Sequence, residues 1–128
     1  MKLKKEIITA ENAPAALGPY SQAVKCGGFV FVSGQVPINP ENGELIKTGI
    51  EEQTRQILKN MQAILKEAGT TLDRVVKVTV FIKDMDLFSQ VNKVYAQHFA
   101  GEYPARCFVE VSRLPRDAAI EMDAIALS

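Results

Sequence analysis

The chain has 128 residues, 15 Lys and Arg against 15 Asp and Glu, a formal net charge of zero and one histidine. That length suits one domain, 1–128, whose core buries roughly two thirds of the surface its unfolded chain exposes. Zero net charge argues against a nucleic-acid surface built on summed positive potential, and no apolar run approaches the ~20 residues of a membrane span. Lys2, Lys4 and Lys5 lead only into Ile7 and Ile8, so no secretory signal is read. Cys26 and Cys107 are then expected as reduced thiols of the cytoplasm.

Lys5 to Thr9 and Ser21 to Cys26 read as short strands, with Gly27-Gly28 turning into a third, Phe29-Val-Phe-Val-Ser-Gly. Phe29 and Phe31 oppose Val30 and Val32, so both faces of that strand are apolar. Residues 36–47 carry Pro37, Asn39, Pro40, Asn42 and Gly43, the composition of a turn-rich loop. Thr48 and Glu51 fit a capping box, and Gly69 stands where a glycine ends a helix. Between them Ile50, Thr54, Ile57, Leu58, Met61, Ile64, Leu65 and Ala68 recur at the helical period, leaving Glu52, Arg55, Lys59, Gln62 and Lys66 for water. Val75 to Lys83 predicts a strand with Val76, Val78, Val80 and Ile82 on one face. Asp86 fits as the cap of a second helix, Leu87 to Ala100. His98 lies on that helix beside Tyr95 and Phe99; without partners for ligation or a triad it reads as a packing residue, and no metal site is expected.

The segment Tyr103 to Ala126 predicts two strands joined as an antiparallel hairpin through Leu114-Pro115-Arg116-Asp117. Period 2 separates Cys107, Val109 and Val111 from Arg106, Phe108, Glu110 and Ser112. It likewise separates Ile120, Met122, Ala124 and Ala126 from Glu121, Asp123, Ile125 and Leu127. The first set of each strand is expected to face the helices. A turn centred between Pro115 and Arg116 sets Glu110 opposite Glu121 and leaves Arg106 about 13 Å from Glu121 along the strands. A turn nearer Leu114 pairs Arg106 with Glu121 instead. The resulting fold class is α+β, order ββ(β)αβαββ, a mixed or antiparallel sheet with two helices packed on one face. The economical cover for the apolar second face is another copy of the chain.

Four features could carry chemistry. Arg106 offers a planar, permanently charged fork that matches a carboxylate bidentately, its structural alternative being an interface pair with Glu110 or a neighbouring chain. Tyr20, after Gly18-Pro19, presents a phenol that can donate and accept. Ser33-Gly34 ends a strand where a missing side chain lets a ligand approach the backbone. Glu121 is either an acid/base group or a strand salt-bridge partner.

Gly18-Pro-Tyr-Ser-Gln, Phe31-Val-Ser-Gly-Gln-Val-Pro and the Tyr103 to Ala126 segment together resemble the reactive intermediate deaminase A family, also called RidA or YjgF-type, from about Ala13 to Leu127. The resemblance implies a chorismate-mutase-like subunit and a homotrimer with sites between subunits. It also implies hydrolysis of 2-iminobutanoate and 2-iminopropanoate to 2-oxo acids and ammonia, without cofactor. By the same resemblance Arg106 holds the substrate carboxylate, Glu121 orients or activates water, and Tyr20 joins them as a catalytic residue. Ser33, Gly34 and Phe108 then line the site, and Asn92 reaches the site of a neighbouring subunit. One position departs: the family's cysteine two residues after the arginine is Phe108 here, while Cys107 directly follows Arg106. Period 2 then turns Cys107 toward the core and Phe108 toward the site. The alternative to an enzyme is a non-catalytic, small-carboxylate-binding regulatory trimer; RNA binding would need a basic, aromatic run that the sequence lacks.

Overall fold

Gly27 and Gly28 adopt φ of 59° and 85°, the left-handed backbone that a two-residue hairpin turn needs and that glycine takes without steric cost. They join β2 (Ala23–Cys26) to β3 (Phe29–Gln35) with Cys26 opposite Phe29, and β1 (Glu6–Ile8) adds an antiparallel edge. The structure, a computed structural model, describes residues 2–128. Beyond β3 the chain forms α1 (Ile50–Glu67), β4 (Val75–Ile82), α2 (Phe88–Gln97), β5 (Ala105–Glu110) and β6 (Ile120–Leu127). These give the mixed α+β order expected, in one six-stranded sheet ordered β1-β2-β3-β6-β4-β5.

Helix α1 presents Ile57, Leu58, Met61, Ile64 and Leu65 to Val30, Val78, Val80, Ile120 and Met122 of the sheet, all fully buried, and α2 adds Val91 and Val94. Each such side chain contributes about 1.5–3 kcal/mol relative to exposure. The C-terminus of α1 closes as the sequence predicts. Gly69, at φ 84°, donates to the Lys66 carbonyl at 3.0 Å and Thr70 to that of Leu65 at 2.9 Å, the paired bonds of a Schellman end. Its N-terminus differs. Gly49, not Thr48, is the N-cap; Thr48 donates its hydroxyl to Glu52, and Gln53 reaches back to the Thr48 carbonyl at 2.6 Å. Before α2 the cap is Asp84, whose carboxylate accepts from the Asp86 N–H at 2.9 Å and opens a short 3-10 turn, Met85–Leu87. In β4 a register shift between Val75 and Lys77 turns Val75 inward and leaves Val76 exposed, against the expected Val76 face.

The C-terminal hairpin does not form. β5 pairs with β4 in parallel, Arg106 beside Val78 and Phe108 beside Val80, while β6 lies antiparallel between β3 and β4. Because α2 stands between β4 and β5 in the chain it acts as a crossover, the connection a parallel pair requires. Glu110 and Glu121 therefore never face one another, and both expected registers are replaced: Glu110 stands beside Ile82, Glu121 beside Phe81.

The same pairing inverts the faces of β5. Adjacent residues in register point to one side of a sheet, so Arg106 and Phe108 share the helix-covered side with buried Val78 and Val80. Cys107 and Val109 lie on the other side, exposed, where the core had been expected to take them. For β6 the expected faces hold, with Ile120, Met122, Ala124 and Ala126 buried. Both thiols are free. The open face carries Phe29, Phe31 and Leu127, each more than a third exposed.

Candidate functional site

Two clusters gather the residues singled out in the sequence. The first is built on an irregularity in β3. Pairing with β6 breaks between Val32 and Gln35, so Ser33 and Gly34 bulge from the ladder. Ser33 is held on both sides of its Cα: its N–H donates to the Gln22 carbonyl at 2.9 Å and its hydroxyl to the Ser21 carbonyl at 2.6 Å. Gln22 is itself buried and donates to the carbonyls of Ala10 and Pro14 at 3.1 and 2.7 Å, which fixes the segment leading to Tyr20.

Gly34 faces Glu121 so closely that a Cβ at this position would lie 2.9 Å from the carboxylate carbon and from Oε2. The absent side chain is the space in which the carboxylate sits. Burial pushes the Glu121 pKa above the ordinary 4.5, and the neighbouring Asp123 charge adds to the rise. Glu121, Gly34, Ser33 and Tyr20 line one cleft of about 470 Å³, walled by Leu17, Val36, Ile38 and Pro115.

Arg116 also lines this cleft, a residue the sequence reading left inside a turn. Arg116 and Asp117 both have φ of 58°, left-handed backbone that costs a non-glycine residue about 1–3 kcal/mol and clusters at functional sites. The turn is anchored by Arg116 donating to the Gly43 carbonyl at 3.2 Å and by the Arg113–Asp117 ion pair at 3.0 Å.

The second cluster surrounds Arg106. A cavity of about 310 Å³ is lined by Asn92, Tyr95, Tyr103, Pro104 and Arg106. The guanidinium carbon lies over three rings, 4.7 Å from the centre of Tyr95, 5.0 Å from Phe108 and 5.7 Å from Phe88. Neither ion pair among the described residues includes it. Glu110 is occupied elsewhere, accepting from the Met85 N–H at 3.0 Å, so the expected structural alternative of an Arg106–Glu110 pair is not what the chain forms. Phe108 does not line the cavity as expected; it packs on the core beneath Arg106 and meets Phe88 edge-on at 4.6 Å. Tyr95 was legible only as a helix neighbour of His98, although its spacing of three from Asn92 already put both on one face. His98 donates from Nδ1 to the Val94 carbonyl at 2.9 Å.

Within one chain the clusters do not meet. Arg106 is on the helix side of the sheet and Glu121 on the open side. They are also three residues apart in register and two strands apart, about 14 Å at the backbone. Arg106 with Asn92 thus forms one half, and Tyr20, Ser33, Gly34 and Glu121 the other.

Comparison with known proteins gives the family and the fold. The sequence profile of the family described as Endoribonuclease L-PSP matches residues 10–128. A RutC family protein of Pyrococcus abyssi is 55% identical over 97% of this chain and 98% of its own. The mouse protein named 2-iminobutanoate/2-iminopropanoate deaminase is 44% identical over 96% of this chain and 91% of its own. The crystal structure of YyfA, a protein of the Rid family from Yersinia pestis, superposes with a TM-score of 0.95 at 51% identity, covering 98% of this chain and all of that one. With the family profile matched over residues 10–128 and relatives about half identical along nearly the whole length, the chain belongs to the Endoribonuclease L-PSP family, among whose similar members are proteins named RutC and reactive intermediate deaminase.

Proposed function

We propose that this protein hydrolyses small 2-imino acids, 2-iminobutanoate and 2-iminopropanoate among them, to 2-oxo acids and ammonia, at sites formed between subunits of a homotrimer in the cytoplasm. The observation that carries the reading is an arginine without a carboxylate partner among the described residues in one half and a half-buried, pKa-raised glutamate in the other, on opposite faces of one sheet. A head-to-tail contact, the open face of one copy with exposed Phe29, Phe31 and Leu127 against the β5 edge of the next, would bring unlike halves together and cover apolar surface at once.

In the assembled site Arg106 grips the substrate carboxylate in plane, and Asn92 beside it supplies a further polar contact. Water attacks the carbon of the protonated imine, and Glu121 accepts the water's proton. Glu121 then returns that proton to the amino group of the carbinolamine. The C–N bond breaks and ammonia leaves while Glu121, again ionised, takes the hydroxyl proton, so that the C=O of the 2-oxo acid forms. Tyr20 borders the same space beside the Ser33-Gly34 bulge and offers its phenol O–H to the developing hydroxyl. A raised carboxyl pKa suits this double use, since an acid/base group works best near the operating pH. Imines hydrolyse in water unaided, and lowering the barrier by about 4 kcal/mol gives roughly a thousandfold.

An endoribonuclease activity, as the family's description suggests, would need cations for phosphates and an acid/base pair. The chain has no net charge and one histidine, turned to a helix carbonyl.

The test couples threonine dehydratase to 2-oxobutanoate release. Wild type accelerates release, Arg106→Ala and Glu121→Gln do not, and subunits of the two variants refolded together regain activity. No acceleration by folded wild type sinks the enzyme and leaves a carboxylate-binding regulatory trimer; no recovery in the mixture sinks the shared site.

A further inference from the structure

Arg106 is held in an unusual way for an arginine that must present its fork to a ligand. A surface arginine is commonly oriented by a neighbouring carboxylate, but a carboxylate uses the in-plane N–H donors that the ligand would need. Here the guanidinium carbon lies over the rings of Tyr95, Phe108 and Phe88 at 4.7, 5.0 and 5.7 Å, with no ion pair among the described residues. Ring faces attract a cation through their quadrupole without consuming an N–H. Among the three, Tyr95 is nearest to the guanidinium and the most buried, at 5% exposure, and it is fixed in turn by Phe99 at 4.7 Å.

Resting on the reading of Arg106 as carboxylate anchor, we propose that Tyr95 is a positioning residue for that anchor, its ring orienting the guanidinium so that the fork stays open to the substrate. The hydroxyl has no part in this. It is buried with no hydrogen-bond partner among the described residues. Burial pushes its pKa up to about 12, against the pull of Arg106, so the ring stays neutral and does not form a phenolate that would neutralise the guanidinium. What Arg106 requires at this position is an aromatic face.

Titration calorimetry with 2-oxobutanoate as the probe tests this without turnover. Tyr95→Phe binds within about twofold of wild type, whereas Tyr95→Met, of similar bulk without a ring, binds roughly tenfold more weakly. In the coupled assay the Met variant raises KM and leaves kcat nearly unchanged, the mark of lost ground-state anchoring. In an Arg106→Ala background the Met substitution weakens binding no further. Unchanged binding by Tyr95→Met, an equal loss with Phe, or the same added loss in the Arg106→Ala background would each overturn the proposal. If the Met variant does not fold, Phe88→Leu, at the exposed rim of the same cradle, carries the same expectation of weaker, Arg106-dependent binding. The failures are separable. Arg106-dependent binding without turnover sinks the deaminase and spares Tyr95; binding lost with Arg106→Ala but indifferent to Tyr95 sinks the positioning role alone.

Discussion

Gly34→Ala is the sharpest perturbation available, because it separates activity from folding. The new Cβ would stand 2.9 Å from the Cδ and Oε2 of Glu121 and 3.3 Å from its Cγ. Ordinary contacts between such atoms begin near 3.5 Å, so the carboxylate must withdraw by about 0.5–1 Å. It can do so by rotating a half-exposed side chain, and Gly34 is not among the positive-φ glycines. The backbone therefore accepts alanine, and the smaller entropy of the unfolded chain offsets the contact by about 0.4–1 kcal/mol. Thermal stability should stay level or rise slightly. Catalysis should not, since a displacement of about 1 Å in an acid/base group costs on the order of a hundredfold. The assay is dehydratase-coupled 2-oxobutanoate release, read beside a melting curve, for Gly34→Ala alone and combined with Glu121→Gln. Wild-type turnover by Gly34→Ala would refute the placement of Glu121 at the reacting atoms. A further loss in the double variant would show that alanine acts on something other than that carboxylate.

Glu121→Gln carries a pH-dependent stability prediction. A carboxyl whose folded pKa lies above its unfolded value binds more protons folded than unfolded, so its ionisation removes stability as pH rises from 4.5 through the folded pKa. Glutamine escapes that loss: the variant should melt at or above wild type at pH 7, with the advantage vanishing below 4.5, and an advantage that grows toward acid would refute the sign. The acidic limb of wild-type kcat/KM should likewise lie above 4.5, checked by a rate profile from pH 4 to 8. Phe31→Asp puts a charge on the open face, where burial of each phenylalanine contributes about 1.5–3 kcal/mol. Light scattering should show dissociation together with loss of activity, and a fully active monomer would exclude a shared site. Ile57→Ala, at a fully buried position of α1, should cost about 2–5 kcal/mol in urea unfolding.

The sequence by itself determined which residues are apolar on which period, and hence α1 with its Schellman end, the glycine hairpin between β2 and β3, and the inward set of β6. These depend on contacts within a few residues, where the side chain and its own backbone decide. It also singled out Arg106, Glu121, Tyr20, Ser33 and Gly34, to which the family resemblance added Asn92, and the structure gathers them into two clusters. Only the tertiary structure decided how those clusters relate. Period 2 splits a strand into two sets but cannot say which set meets the helices; for β5 that depended on a parallel partner, β4, reached across α2. The insertion of β6 between β3 and β4 removed the hairpin and put Arg106 and Glu121 on opposite faces. Likewise the aromatic cradle of Arg106 joins Phe88 and Tyr95 of α2 to Phe108 of β5, a meeting set by the packing of a helix on an edge strand and invisible along the chain.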